Sequence, residues 1–279
     1  MPRGKDVRVG IGDDCAVIGA ARDVRWSLLK TDVVIEGIHF NAEENRRLVG
    51  WKALCRPISD IAAMGGVPAY ALVTLAVSRQ TELAAIKSLY AGLRQAAQRF
   101  DVTIVGGETS RSPGPLFLSV ALTGWVERVH CLTRDGGRPG DALYVTGWLG
   151  GSRAGKHLSF TPRLVEARWL VSHFKLRAMM DLSDGLASDL PRLAAASKCS
   201  FHIDESRLPR TPGCTLRHAL ADGEDYELLF AIAPGKTAAL ERAWKKQFPK
   251  LPLTRIGALI QKSKFKTLNQ RVRGFDHFA

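Results

Sequence analysis

Short apolar runs alternate with stretches of helical periodicity along this chain, and their spacing lays out most of its elements. Val7 to Ile11 and Ser27 to Ile35 read as strands that deliver acids: Asp13 and Asp14 follow the first, and Asp32 lies within the second. Glu36-Gly37-Ile38-His39-Phe40 predicts a turn that exposes a histidine, and Arg47 to Met64 a helix stopped by Gly65, Gly66 and Pro68. Tyr70 to Val77 is an apolar strand. Leu83, Ile86, Leu89, Leu93, Ala97 and Phe100 give Thr81 to Phe100 one apolar helical face. Val102 to Val105 then leads as a strand into Gly106-Gly107-Glu108, where a tight glycine turn bearing an acid is expected, and Leu116 to Val126 forms another strand.

The pattern changes between Glu127 and Gly140, where arginines, glycines and a proline cluster, and this places a domain boundary between residues 1–130 and 131–279. Beyond it the pattern predicts strand Ala142 to Thr146, a glycine turn from Gly147 to Gly155, helix Pro162 to Phe174, strand Ala178 to Asp181 and helix Leu186 to Ser197. Strand Tyr226 to Ala233, helix Lys236 to Phe248 and strand Leu253 to Leu259 complete a two-domain α/β (α+β) fold with mixed sheets.

Composition adds a few exclusions. A chain of 279 residues, 46% hydrophobic, can bury a full core, which argues against disorder. Its net charge of +13 suits an anionic partner, but Lys and Arg are scattered, with no tight run beyond Lys262 to Lys266. A solvated surface is expected rather than a nucleic-acid face. Five cysteines without a C-x-x-C pair point away from a disulfide framework or a zinc site and towards a reducing, cytoplasmic setting. No secretory signal is expected from the polar opening residues, and Gly65, Gly66 and Pro68 break the uncharged run Ile61 to Ser78, so no membrane span is expected either.

The chemistry lies in the acids. Gly10-Ile11-Gly12-Asp13-Asp14 sets two carboxylates behind two glycines, and Asp32, Asp60, Glu108, the pair Asp181 and Asp184, and Glu224-Asp225 repeat an acid beside a turn or strand end. Such acids repel one another unless cations sit on them, and hard cations such as Mg²⁺ take carboxylate and phosphate oxygens together. Each segment alone also fits an ordinary turn. Asp60 stands among Ile58, Ile61, Ala62 and Ala63, so it is expected to meet a cation or a polar group. There is no Walker A sequence and no protein-kinase HRD or DFG set. A nucleotide would therefore be held by metals bridging acids to phosphates. If the acceptor is itself a phosphate, it is already ionised at neutral pH, because its second pKa is about 6, and no general base is required.

Gly12-Asp13-Asp14-Cys15-Ala16, Thr31-Asp32 with Glu36-Gly37-Ile38-His39-Phe40, Ser59-Asp60-Ile61, Gly106-Gly107-Glu108-Thr109, Leu132-Thr133-Arg134, Asp181-Leu182-Ser183-Asp184-Gly185 and Gly223-Glu224-Asp225-Tyr226-Glu227, in this order, resemble the thiamine-monophosphate kinase family. The closing Gly274-Phe275-Asp276-His277-Phe278 is similar to that family's C-terminal signature. The resemblance implies an aminoimidazole-ribonucleotide synthetase-like fold, with the sheet of an N-terminal ATP- and Mg²⁺-binding domain building a barrel across a homodimer. It implies transfer of the γ-phosphoryl group of ATP to thiamine monophosphate. By motif position Asp14, Thr31, Asp32, Asp60, Glu108, Asp181 and Asp184 would hold Mg²⁺, and Gly107, Glu108, Arg134 and Ser183 would contact ATP. His39, Glu224 and Phe275 would contact thiamine monophosphate, Phe275 through the attraction of an aromatic face for a thiazolium cation.

The chain departs from that pattern in places. Glu108 stands where the family has Asp. Lys30 stands where it offers a Ser hydroxyl, so an ammonium is expected to replace one cation. Gly150-Gly151-Ser152 lacks the family's acid, and Asp13 either binds metal or orients Asp14. Other readings stay open: a related enzyme making selenophosphate or a purine precursor, a nucleotide-binding member with reduced turnover, or a basic nucleic-acid-binding protein.

Overall fold

The computed structural model describes residues 4–262 and residue 274. In chain order the elements are β1 (Val7–Val9), β2 (Ala16–Ile18), β3 (Arg25–Ile35), α1 (Arg46–Ala63), β4 (Val67–Val77), α2 (Leu83–Phe100), β5 (Thr103–Arg111) and β6 (Phe117–Glu127). There follow β7 (Ala142–Thr146), α3 (Lys156–Ser159), α4 (Leu164–His173), β8 (Leu176–Asp181), α5 (Leu186–Ala196) and β9 (Ser200–Ile203). The last four are α6 (Leu216–Ala221), β10 (Leu228–Ile232), α7 (Thr237–Gln247) and β11 (Leu253–Ile260). They form two compact units: the first comprises Met1–Ala62, Gly66–Cys131 and Leu158–Leu164, and the second the remainder.

The first unit is built on a six-stranded sheet of order β1-β2-β3-β6-β4-β5, in which only β4 and β5 run parallel. Alternation along the strands splits it into two faces. Leu28, Ala71, Val73, Leu75, Leu118, Val120 and Leu122 are buried, whereas Leu29, Tyr70, Leu72 and Val105 are exposed. Helices α1 and α2 touch backbone to backbone, because a Cβ at Gly50 would collide with the Leu89 carbonyl and one at Gly92 with that of Arg47. The sheet is open, with β1 and β5 as its edges, and no closed barrel forms among the described strands.

Two expectations for this unit are corrected. Strand β5 does not stop at a glycine turn but runs on through Gly106-Gly107-Glu108 to Arg111, with Glu108 opposite Thr74. The glycines serve close approach instead, since any Cβ at Gly107 would strike the Val73 carbonyl. Nor is His39 exposed: it is buried, because its Nδ1 accepts a hydrogen bond from the Ile35 N–H at 3.1 Å and closes the Ile35–Phe40 turn.

The second unit holds an antiparallel five-stranded sheet of order β8-β10-β7-β11-β9. The neighbouring strands β7 and β10 are buried at every position, which matches their largely apolar sequence. Leu186, Leu190 and Leu193 of α5 pack with Leu143, Val145, Met180 and Leu259 in one core. Strand β9 and helix α6 are too short to announce themselves by periodicity; α6 is set by a capping box between Thr215 and His218. Tyr226 does not join β10, because it adopts a left-handed φ of 51°. Among the described residues no helix is long and apolar enough to cross a membrane.

Candidate functional site

In the first unit the acids gather from distant stretches. Asp14 follows the β1–β2 turn, where its N–H donates to Asp13 Oδ1 at 3.0 Å, so Asp13 orients the loop that presents it. Asp60 comes from the last turns of α1, and both side chains are buried with a carboxylate oxygen of each within 4.8 Å of the other. Asp32 stands on β3, 17% exposed in its side chain. Lys30, two residues earlier on the same face of β3, places Nζ 2.9 Å from Asp60 Oδ1 and 4.0 Å from Asp32 Oδ2. Arg56, one turn before Asp60 on α1, brings Nη2 to 3.9 Å from Asp32 Oδ1 and donates through Nη1 to the Val33 carbonyl. Asp60 thus meets the cation that its apolar surroundings demand. The buried Cys15 thiol registers the whole group: burial first, then Asp60 and Asp14, push its pKa well up, and Lys30 opposes them.

Two predicted residues of this unit stand apart. Thr31 leaves β3 on the face opposite Asp32, where its hydroxyl lies 3.4 Å from that of Ser119. Glu108 is exposed on the edge strand β5. Two strands lie between β5 and β3, which at about 4.8 Å per step puts Glu108 roughly 14 Å from the row of Asp32. Gly107 lies on the same edge, and Lys52 Nζ donates to the carbonyl of His39 at 2.6 Å.

In the second unit one stretch supplies the acids. Asp181 ends β8 and is buried, Ser183 and Asp184 form the turn, and α5 opens at Gly185, whose φ is 94°. Asp189, in the first turn of α5, accepts the Asp184 N–H at 3.0 Å, and Arg192 Nη1 pairs with Asp184 and, at 2.9 Å, with Asp189. Burial, and then repulsion from Asp184 and Asp181, push the Asp189 carboxyl up to about 8. Sequence reading passed over Asp189, although an acid on the same helical face as Leu186 and Leu193 was the signal available. Arg134 lies near enough to Arg192 to oppose its charge, and its carbonyl accepts from the Ser197 hydroxyl at 2.7 Å.

A second loop, Gly223 to Glu227, is stitched to this one. The Glu224 N–H donates to the Ser183 carbonyl at 2.7 Å and the Tyr226 N–H to that of Leu182 at 2.8 Å, while the Leu182 N–H donates back to Glu227 at 2.9 Å. Glu224 adopts a left-handed φ of 52°. The glycine turn after β7 docks on the same loop: the Gly150 N–H donates to both Asp225 oxygens, at 3.0 and 3.1 Å, and the Gly151 N–H to Asp222 at 2.7 Å. Asp222 thus supplies from another loop a carboxylate beside Gly151. Burial pushes the Asp225 carboxyl up to about 7, with Lys156 holding it down in part. Glu227, buried, accepts from the Thr146 hydroxyl at 2.8 Å and pairs with Lys156 at 3.4 Å. His157 Nδ1 lies 3.3 Å from Glu224 Oε2. Neither Lys156 nor His157 carried a motif in the sequence. Gly274 packs so closely that a Cβ would collide with the Asp184 carbonyl, and Phe275 lies outside the described residues.

Residues 12–126 match the family profile described as AIR synthase related protein, N-terminal domain, and residues 138–265 match the corresponding C-terminal domain. The chain is similar to the thiamine-monophosphate kinase of Rhodopirellula baltica, at 39% identity over 91% of this chain and 84% of that one. It is similar to the enzyme of the same name from Bacillus subtilis, at 33% identity over 98% and 94% of the two chains. Among solved structures, AaThiL complexed with AMPPCP and TMP superposes with a TM-score of 0.79, at 31% identity, covering 95% of this chain and 87% of that one.

Proposed function

The chain belongs to the thiamine-monophosphate kinase family, and we propose that it transfers the γ-phosphoryl group of ATP to thiamine monophosphate, giving thiamine diphosphate and ADP. The observation in this chain that carries the reading is the backbone stitching of the Asp181–Asp184 turn to the Glu224 loop. A phosphate-directed acid pair and a substrate-directed carboxylate are thereby held as one piece, which is the positioning that phosphoryl transfer needs. The relative solved with AMPPCP and TMP supports both substrates.

Asp14, Asp32 and Asp60 in the first unit, and Asp181 and Asp184 in the second, are the residues that would hold Mg²⁺, with Thr31 and Glu108 as further positions. Their donor set fits: all five of the core residues offer hard carboxylate oxygens, and the buried Asp14 and Asp60 approach closely enough to favour a shared cation. When bound, Mg²⁺ supplies the positive charge that lets two phosphates approach in line. The chain's own groups do the rest. Gly107, Glu108, Arg134 and Ser183 would orient ATP, and His39, Glu224 and Phe275 would receive thiamine monophosphate. His39 accepts at Nδ1, which puts its ring proton on Nε2. No side chain needs to remove a proton from an acceptor that is already an anion.

The finer architecture is proposed with it. Residues 1–130 would carry ATP and Mg²⁺ binding and dimerisation, and 131–279 the second α/β domain. A homodimer whose paired sheets close a barrel is supported by the exposed Leu29, Tyr70, Leu72 and Val105, which surround an apolar depression of about 530 Å³ on the open sheet face. A cytoplasmic location is supported by five free cysteines.

A turnover assay with ATP, excess Mg²⁺ and thiamine monophosphate tests the function. Equal amounts of thiamine diphosphate and ADP are expected. ADP alone would indicate another acceptor, and ATP binding without either product a member without turnover.

A further inference from the structure

We propose that His157 is the positioning residue for the Glu224 carboxylate, and through it for thiamine monophosphate. The inference rests on the reading that Glu224 touches that substrate. A glutamate side chain has three soft torsions, so a carboxylate meant to receive a cationic or amine-bearing ligand has to be held from behind. Here each oxygen has its own holder. Oε1 accepts from the Tyr226 hydroxyl at 3.3 Å, and Oε2 faces His157 Nδ1 at 3.3 Å. Both holders are buried while Glu224 keeps 20% of its side chain exposed, so the carboxylate is held from buried groups and still reaches solvent.

The main chain of the loop points the same way. Glu224 and Tyr226 both adopt left-handed φ values, 52° and 51°, a conformation that non-glycine residues keep only when their surroundings impose it. Lys156 and His157, the adjacent residues that open α3, reach the loop at both ends: Lys156 pairs with Glu227 at 3.4 Å, and His157 with Glu224. The glycine turn before α3 is fastened to Asp222, Gly223 and Asp225 of the same loop. His157 therefore approaches Glu224 from a support already fixed to it, the condition under which one hydrogen bond selects a rotamer.

Asn and Gln at position 157 separate positioning from packing. The amide nitrogen of Asn falls near where Nδ1 was, whereas that of Gln falls near Nε2, and both keep a polar side chain of similar bulk. Thiamine monophosphate binding is read by calorimetry, and KM for each substrate by turnover, on the full chain. His157→Gln is expected to weaken thiamine monophosphate about tenfold, the worth of a hydrogen bond to a charged group, with KM for ATP unchanged. His157→Asn is expected to stay within about twofold of the wild type, and Glu224→Gln to lose at least as much as His157→Gln. If Glu224→Gln weakens binding while His157→Gln does not, the proposal is overturned and the Glu224 assignment stands. Equal losses in the Asn and Gln variants, or parallel rises in KM for both substrates, overturn it in favour of simple packing. Unchanged binding in Glu224→Gln, or no binding by the wild type, removes the reading beneath it and the proposal with it.

Discussion

In the first unit, Asp14, Asp32 and Asp60 come from a turn, a strand and a helix, and Lys30 and Arg56 stand among them as fixed cations. In the second, Asp181, Asp184 and Asp189 share one strand end, turn and helix start, with the half-exposed Arg192 on their flank. Both groups concentrate negative charge, but they relieve it differently. The first does so by long-range ion pairs built into the sheet and helix. In the second, burial outweighs the backbone N–H donors that favour the charged form, so Asp189 and, in the neighbouring loop, Asp225 have carboxyls raised to about 8 and about 7. An ion pair holds its charge across the neutral range, whereas a buried carboxyl of raised pKa changes state within it.

Neutralising one acid in each group should give the largest effect. Asp60→Asn and Asp184→Asn are each expected to lower kcat by about a hundredfold to a thousandfold, the usual loss when one electrostatic contact to a transferring group is removed. Thiamine diphosphate formation measures it. A large loss in only one of the two would confine the phosphoryl chemistry to one acid group.

The difference in compensation predicts a difference in pH response. The folded-state pKa of Asp225 lies above its unfolded value near 3.8, so the folded chain binds that proton more tightly. The contribution is greatest below that value, falls as pH rises towards about 7, and is flat beyond. At about 1.4 kcal/mol per pH unit, moving from pH 5 to pH 8 costs the wild type up to about 3 kcal/mol at this residue. Asp225→Asn keeps an oxygen for the Gly150 N–H and should remove that slope, as urea midpoints at the two pH values would show. Parallel slopes in the two proteins would mean that Asp225 is ionised throughout.

How much of this was legible follows from sequence distance. Asp181 and Asp184 announce themselves because one short stretch carries them. The need for a cation at Asp60 was also visible, since a carboxylate among isoleucines and alanines is costly alone. That Lys30 meets it could not be seen directly, because the pairing spans thirty residues and depends on how α1 lies on the sheet. The strands and long helices follow the hydrophobic pattern closely. Where backbone conformation decides, pattern fails: β5 ran past its glycines because Gly107 allows backbone contact, and β10 began late because Tyr226 is left-handed. His157 gave no signal at all, as a histidine after a glycine turn has many ordinary uses.

A smaller effect should come from Arg192. Its side chain is 48% exposed, so the pairs with Asp184 and Asp189 are screened, and Arg192→Ala should cost about 1–2 kcal/mol without divalent cations. If these acids hold Mg²⁺, adding it should restore more stability to the variant than to the wild type. Equal gains in thermal midpoint would place the metal elsewhere.

The smallest expected change in stability, and the sharpest test of the contrast between the units, is at Lys30. Its ammonium is covalently part of β3 and already 2.9 Å from Asp60, so it neutralises the first group at every Mg²⁺ concentration. In Lys30→Ser that charge disappears and a hydroxyl takes its place, while Arg56 stays beside Asp32. Without metal the variant should lose about 1 kcal/mol, as expected for a partly exposed pair. With a non-hydrolysable ATP analogue present, it should bind one more divalent cation than the wild type, counted with Mn²⁺ by electron paramagnetic resonance, and its turnover should depend more steeply on Mg²⁺. The matching change in the second unit, Arg192→Ala, should leave the count unaltered, because Arg192 flanks its acids from the solvent side and holds no place among them. An equal Mn²⁺ count in wild type and Lys30→Ser would mean that the lysine moves aside for a full set of ions, and that both units relieve their charge in the same way once nucleotide is bound.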